Sequence, residues 1–313
     1  MCIRDSPAVE LVLHYRTLTK LKSTYADGLM KEIREDGRIH TTFQNLVTAT
    51  GRLSSTEPNL QNIPVRSPLG REMRKFFVAR DGYVLVDADY SQIELRVLAH
   101  ISGDQNMIKA FNDNTDIHTV TASEVFDMPP QLVTPIMRSR AKAVNFGIVY
   151  GIGAFSLAKD IGVSRSEADE YIKGYLRHYS GVDKYMHDVV EKAKKDGYAE
   201  TMFARRRYLP ELTASNANTR AFGERVARNM PIQGTAADII KIAMIRVYER
   251  LERENLAAKL IMQVHDELIV EAPENEKERV SALLKEEMEN AVKLSVALTA
   301  DVHSGRTWYD AKG

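Results

Sequence analysis

The stretch that decides the fold is Asp89-Tyr90-Ser91-Gln92-Ile93-Glu94-Leu95-Arg96, which closely follows the apolar run Tyr83-Val84-Leu85-Val86. A second acidic run, His265-Asp266-Glu267, follows the mostly apolar residues 260–264. Short apolar runs are typical of buried strands. Asp89 and Asp266 are therefore each predicted to lie at the end of a rigid strand. Two carboxylates that converge from separate strands can hold a pair of Mg²⁺ ions for in-line phosphoryl transfer. Taken singly, each acid is more typical of an ordinary turn after a strand, and the rest of the chain is needed to favour the metal site.

Length and composition indicate a globular chain with a substantial core: 313 residues, 44% of them hydrophobic and 27% charged. The formal net charge is zero, yet residues 61–80 hold five cations and one acid, whereas residues 266–289 hold nine acids and three bases. A basic band and an acidic region suit a protein that grips phosphates and holds metals, although such runs are often only solvated surface.

The single cysteine, Cys2, excludes an intrachain disulfide and favours a reducing compartment. No apolar run approaches the ~20 residues that cross a bilayer. Residues 1–6 are too short and too polar for a signal peptide. We therefore expect a cytoplasmic protein with no membrane partner.

Two strand-bearing segments enclose a long block of helices, which predicts an α+β fold with a helical insertion. Helical spacing covers residues 7–30 and 104–198, and a short helix over 92–101 is closed by Gly103. A long helix over 220–256 is expected to be interrupted around Pro231. Further predictions are short strands within 31–50, a strand–turn–strand around Asp266, a helix over 276–294, and helix breaks at Pro129-Pro130, Gly151, Gly162 and Gly181.

Four side chains recur every fourth residue between Arg138 and Tyr150, the other two being Lys142 and Phe146. On an α-helix they lie in a stripe roughly 120° wide, with two cations at one end and two aromatics at the other. A nucleoside triphosphate has the same polarity, with phosphates at one end and a sugar and stackable base at the other. Aromatics on a helix often face the core instead, but a core-facing stripe would not begin with Arg and Lys.

Several blocks together resemble the family A (DNA polymerase I-like) DNA polymerases. The resemblance runs from about residue 8 to the end of the chain, in the family's order and spacing. The blocks are Thr48–Ser55, Asn59–Pro64, Asp89–Arg96 (similar to motif A), Arg138–Gly151 (motif B), Gln263–Glu267 (motif C), and Arg225, Asn229 and Gln233–Asp238.

The resemblance implies a right-hand architecture with an antiparallel-sheet palm. Residues 1–7 would be a leader outside the family, 8–46 the base of a truncated thumb, 47–104 and 220–313 the palm, and 105–219 the fingers. The chain is expected to be a C-terminal polymerase core without proofreading.

The resemblance also implies a DNA-templated DNA polymerase that adds dNTPs to a primer 3′-hydroxyl and releases pyrophosphate. Asp89, Asp266 and the main-chain carbonyl of Tyr90 would hold two Mg²⁺ ions, with Mn²⁺ able to substitute. Glu267 would lie beside these ligands rather than on a metal. Lys142 is a candidate general acid toward pyrophosphate.

The resemblance also implies contacts with the dNTP and with the primer–template DNA. Arg138, Lys142 and His118 would bind the triphosphate, Phe146 would pack on the deoxyribose, and Glu94 with Tyr150 would exclude a 2′-hydroxyl. From the sequence alone, His118 is also compatible with a surface histidine at a helix N-terminus. Gln92 is a further nucleotide contact. The primer–template contacts would be Arg52, Asn59, Gln61, Asn62, Arg66, Arg225, Asn229, Gln233 and His265.

Some departures and alternatives stay open. Arg138-Ser139-Arg140 differs from the family's usual adjacent arginines, which leaves the role of Arg140 open. Asp87 shares a strand face with Asp89 but is not expected to be a metal ligand. A catalytically weak primer–template binding fragment lacking the thumb and exonuclease domains is the main alternative function. An RNA-synthesising relative is disfavoured by Glu94 and Phe146, and a monomer is expected.

Overall fold

The computed structural model describes residues 6–64 and 67–312. Its helices are α1 Pro7–Lys20, α2 Asp27–Lys31, α3 Pro68–Glu72, α4 Ile93–Ser102, α5 Gln105–Asn112, α6 Ile117–Val125, α7 Pro135–Val149, α8 Ala154–Ile161, α9 Arg165–His178, α10 Ser180–Asp196, α11 Ala217–Arg253 and α12 Lys277–Glu289. Its strands are β1 Thr42–Gln44, β2 Ser54–Thr56, β3 Tyr83–Tyr90, β4 Tyr198–Glu200, β5 Arg206–Tyr208, β6 Lys259–Val264, β7 Glu267–Pro273 and β8 Ala300–Gly305. A π-helical turn, Leu21–Ala26, joins α1 to α2.

A four-stranded antiparallel sheet in the order β6-β7-β3-β8 forms the centre of the fold. Along β3 the side chains alternate between the two faces, as the pleat requires. Val86, Ala88 and Tyr90 join the main core, which also contains apolar residues of α4, α11 and α12. Leu85 joins a second core on the other face with Ile269 and Trp308. Asp87 and Asp89 therefore share the face of Leu85, as the sequence predicts.

The helices α5 to α10 stand between β3 and α11 in the chain, so the α+β prediction with a helical insertion is confirmed. Gly103 closes α4 in the left-handed conformation, with φ of 63°. The predicted breaks at Pro129-Pro130, Gly151 and Gly162 are present, but the break expected at Gly181 lies at Tyr179, and Gly181 is inside α10. Within the described residues, no helix is long and apolar enough to cross a bilayer.

Three other local predictions were wrong or incomplete. α11 runs unbroken through Pro231, because the burial of this turn of the helix offsets the cost of one missing helical hydrogen bond. The helix predicted to reach residue 294 ends at Glu289. The hairpin of β4 and β5 and the edge strand β8 were not predicted, since short strands carry little periodic signal.

Candidate active site

Asp89 and Asp266 come together because two antiparallel pairings place them side by side. Asp89 lies opposite Glu267 in the β3–β7 register. The turn between β6 and β7 consists of His265, whose φ is 51°, and Asp266. The Tyr90 amide donates to the Asp266 carbonyl at 3.1 Å, which ties the turn to the end of β3. Both carboxylates border one open cleft of about 540 Å³.

The electrostatics of this corner favour a bound cation. Burial raises the pKa of Asp266 to about 7, and the nearby carboxylate of Glu94 adds to the effect. Burial, with Glu267 next, raises the pKa of Asp87 to about 8. Acids whose ionised forms are disfavoured in this way gain most from a neighbouring positive charge.

The donor set fits hard divalent cations. Asp89 and Asp266 present carboxylate oxygens, and Tyr90 also borders the cleft. The Tyr90 ring is buried and its hydroxyl donates to the Met288 carbonyl at 2.6 Å, so its main chain is the part that can serve the site. Within residues 6–64 and 67–312, no three His, Cys, Asp or Glu side chains form a preformed metal cage. The two aspartates match the needs of Mg²⁺, which takes one or two carboxylates and completes its shell with water and substrate phosphates.

The predicted stripe on α7 faces the same cleft. Arg138, Lys142, Phe146 and Tyr150 all line it. Pro135 at the helix start and the Thr134 side chain, which accepts from the Met137 amide, fix where α7 begins. The aromatics do not enter the core, since Tyr150 is 46% exposed. The stripe and the acids are thus two walls of one cleft.

His118 is buried rather than on the surface, so the alternative of a surface histidine was wrong. It lies in the first turn of α6, 5.9 Å from Phe146 between ring centroids, and its Nδ1 lies 3.2 Å from Asn145 Nδ2. Burial lowers the pKa of His118 to about 4. The nearby charge of Asp116 opposes this shift, whereas the charges of Lys142 and Arg138 add to it. The imidazole is therefore neutral at pH 7.

Arg138 is held by Asp116, the residue that caps α6. Its Nε and Nη2 donate to Asp116 Oδ2 and Oδ1 at 2.6 and 3.1 Å. Burial works against ionisation, but the hydrogen bonds from Arg138 and Thr119 prevail and lower the pKa of Asp116 to about 2. The cation predicted to bind a triphosphate thus already has a carboxylate partner.

Glu94 and Arg52 form an ion pair at the base of the cleft, with Arg52 Nη2 2.6 Å from Glu94 Oε1. Burial raises the pKa of Glu94, against the opposing effects of Arg52 and a hydrogen bond from Tyr150. Gln92 borders the same cleft at the junction of β3 and α4, where its φ of 57° makes the turn tight. Glu94 and Tyr150 both line this cleft, and their joint exclusion of a 2′-hydroxyl stays a prediction.

The predicted DNA contacts divide into separate groups. Arg52, Gln61 and His265 line a small pocket that also reaches Asp266. Arg225 and Asn229 belong to α11 and lie near the C-terminal end of α7. The Asn229 side-chain amide donates to the Val149 carbonyl at 3.2 Å, and Arg225 packs beside Gly151. The exposed Asn59 and Asn62 flank Gln61, and Gln233 is half-buried on α11. Arg66 and residues 1–5 of the predicted leader lie outside the described residues.

Sequence reasoning missed a group of residues on the other side of the acids. A second cleft of about 420 Å³ is bordered by Asp89, Asp266 and Glu267 together with Arg71, Arg74, Tyr309 and Lys312. Lys312 is more than 220 positions from Asp89, and no local pattern marks it. The basic composition of residues 61–80 was the one signal that pointed to Arg71 and Arg74.

The family described as "DNA polymerase family A" matches residues 2–310 of this chain. The chain belongs to that family. It is 53% identical to "DNA polymerase I" of Caldicellulosiruptor bescii over 97% of its own length and 36% of the relative's. It is 55% identical to "DNA polymerase I" of Bacillus caldotenax, over 97% of this chain and 35% of that one. The chain thus spans about a third of the length of these relatives.

A solved structure of the family has the same fold. The "POL domain of Pol1 from M. smegmatis", in a complex with DNA primer-template and dNTP, superimposes with a TM-score of 0.94 at 47% sequence identity. The alignment covers 98% of this chain and 54% of that one. The predicted family A membership and mixed α+β fold are confirmed by these matches.

Proposed function

We propose that this family A chain catalyses DNA-templated DNA synthesis, adding dNTPs to a primer 3′-hydroxyl and releasing pyrophosphate. One observation carries the proposal: the two aspartates and the cation–aromatic stripe of α7 face each other across a single cleft. The related mycobacterial domain binds primer–template and dNTP, which supports the same partners here.

The proposed cofactors are two Mg²⁺ ions, for which Mn²⁺ could substitute. Asp89, Asp266 and the Tyr90 carbonyl would hold them. When bound, the metals would activate the primer 3′-hydroxyl and neutralise charge on the triphosphate. Glu267 would support the site from beside these ligands. The division into thumb base, fingers and palm at residues 46, 104 and 219 stays a prediction, as do a monomeric state and a cytoplasmic location.

The side chains of α7 would hold and orient the nucleotide. Arg138 and Lys142 would bind its phosphates, and Lys142 would donate a proton to the leaving pyrophosphate. Phe146 would pack on the deoxyribose next to His118, whose neutral ring can donate one hydrogen bond to a phosphate. Charge-assisted contacts at one end and stacking at the other would fix the register of the nucleotide in the cleft.

Glu94 and Tyr150 would discriminate against ribonucleotides. Both side chains line the cleft, and Glu94 forms an ion pair with Arg52 there. A 2′-hydroxyl directed at Glu94 would meet a carboxylate that is already paired. Arg52, Gln61 and His265 would then contact the minor groove of the primer–template near the acids.

The test is extension of a labelled primer–template by the wild type, Asp89→Asn and Asp266→Asn. Each variant is expected to lose at least about 10³-fold in rate, because metal ligation contributes several kcal/mol to the transition state. Asp81→Asn is the matched control, since Asp81 lies before the other end of β3 with its side chain fully exposed. DNA binding is followed by fluorescence anisotropy.

Retained extension by both variants would refute the two-metal assignment. Tight DNA binding without extension by the wild type would instead favour the alternative of a catalytically weak primer–template binding fragment. The predicted absence of proofreading is tested separately, by incubating the pure protein with a mispaired primer 3′ end. Release of the terminal nucleotide would contradict it.

A further inference from the structure

The segment Arg306–Lys312 carries a lysine into the acidic corner of the sheet. Trp308 is fully buried, packs edge-on against Phe77 at 5.5 Å between centroids, and donates its amide to the Phe77 carbonyl at 2.9 Å. The guanidinium of Arg74 stacks over the same indole ring at 4.2 Å. The short 3₁₀ turn Asp310–Lys312 follows directly. This anchoring fixes the direction from which the lysine approaches β3.

The Lys312 ammonium contacts three carboxylates. Nζ donates to Asp89 Oδ2 at 2.8 Å, forms an ion pair with Glu267, and lies 3.9 Å from Asp87 Oδ1. Arg74 lies farther off, with Nη2 3.7 Å from Glu267 Oε1. Among the described residues, neither carboxylate oxygen of Asp87 has a hydrogen-bond partner, so the ammonium is the nearest compensation for its charge.

The ammonium contacts one of the two carboxylate oxygens of Asp89, so a divalent ion bound by this carboxylate would lie close to a positive charge. A carboxylate oxygen in direct contact with an ammonium cannot at the same distance face a dication, because two like charges would then be adjacent in a partly buried site. Metal binding at Asp89 should therefore weaken the Lys312–Asp89 contact, and this contact should in turn lower the affinity for the metal.

We propose that Lys312 is a positioning residue that holds Asp89 and Glu267 in place before the metal binds and competes with the divalent cation for Asp89. Lys312 then withdraws toward the second cleft, which Arg71 and Tyr309 border. The inference rests on the proposed function, in which Asp89 is a metal ligand. It adds that the affinity for the metal is set partly by this lysine.

The test measures Mn²⁺ binding to the full chain without nucleotide or DNA, by the electron paramagnetic resonance signal of free Mn²⁺. Lys312→Met removes the charge and keeps the apolar stem. Lys75→Met is the matched control, because Lys75 pairs with Glu72 and stacks on Tyr309 without touching the acids. Lys312→Met is expected to bind Mn²⁺ at least about 5-fold more tightly than wild type, and the control within 2-fold of it.

Unchanged or weaker binding by Lys312→Met would overturn the proposal, as would equal tightening by both variants. Lys312→Arg serves as a second variant in case Lys312→Met folds poorly. Because it retains the charge, its affinity for Mn²⁺ should lie within 2-fold of that of the wild type. A 5-fold higher affinity of Lys312→Arg would overturn the proposal. Primer extension by the same samples separates two failures. If the wild type extends the primer and Lys312→Met has the same Mn²⁺ affinity, only the proposed role of Lys312 is refuted. If the wild type neither extends the primer nor binds Mn²⁺, the proposed function is refuted as well.

Discussion

Replacing Asp116 by Asn should tighten the binding of dNTPs. Asp116 accepts two hydrogen bonds from Arg138, at 2.6 and 3.1 Å. A triphosphate that uses Arg138 must therefore compete with a carboxylate. Asn keeps an oxygen that can accept from the His118 amide, which Asp116 does now at 3.3 Å, so the N-cap of α6 is preserved. The substitution removes charge and leaves the helix intact.

The size of the effect follows from the exposure of the pair. The Arg138 and Asp116 side chains are 46% and 34% exposed, so solvent screens much of their attraction. A pair of this kind contributes about 0.3–1 kcal/mol, even with bidentate geometry. At 1.36 kcal/mol for each factor of ten, releasing Arg138 should lower the KM for dNTP about 2- to 5-fold. The kcat should change little, because the freed group binds the phosphates in both the ground and transition states.

The assay is single-nucleotide incorporation at saturating primer–template, with dNTP concentration varied, supported by calorimetric dNTP binding. Asp113→Asn is the control, because Asp113 lies three positions earlier and pairs with Lys109 on the surface. A KM for Asp116→Asn that is equal to or above that of the wild type would refute the reasoning. It would show that Asp116 supports the phosphate-binding conformation of Arg138 and does not compete for it.

Three stability predictions can be checked by urea unfolding. Gly51→Ala should cost roughly 1–3 kcal/mol, because φ is +81° and the added Cβ would lie 2.5 Å from Arg205 Nε. Tyr90→Phe should cost about 1 kcal/mol, because the Met288 carbonyl would lose the 2.6 Å hydrogen bond from the buried hydroxyl and keep only the longer one, 3.3 Å, from the Ala291 amide. Because burial lowers the pKa of His118 to about 4, the unfolded chain takes up a proton below pH 6.5 that the folded protein does not, and stability falls as the pH decreases from 6.5 toward 4. His118→Gln should remove up to about 3 kcal/mol of the difference in stability between pH 7 and pH 4; an unchanged pH dependence would contradict the assignment.

Local features of the sequence predicted much of the scaffold. The four-residue spacing from Arg138 to Tyr150 placed four side chains on one face of α7, and the structure has them on one wall of the cleft. Alternation along β3 put Asp87 and Asp89 on the same face. Gly103 ended α4 where predicted. These features depend on residues within a few positions of one another, so periodicity and turn chemistry suffice to predict them.

Other predictions failed where packing overrides local preference. Pro231 did not break α11, because Pro231 and the residues next to it, Met230 and Ile232, are buried in the core. His118 was compatible with a surface position in the sequence, but the packing of α6 on α7 buries it beside Phe146. Sequence periodicity carries no information on which face of one helix meets which face of another.

The sequence by itself determined the family, the α+β class and the identity of the acids and cations that α7 and β3 present. Only the tertiary structure decided that Asp116 restrains Arg138, that Asp87 lies buried next to Asp89, and that Lys312 reaches the same acids. The physical reason is that the β3–β7 and β3–β8 pairings join residues roughly 180 to 220 positions apart. Such contacts depend on the whole sheet closing with its core, and no local pattern records them.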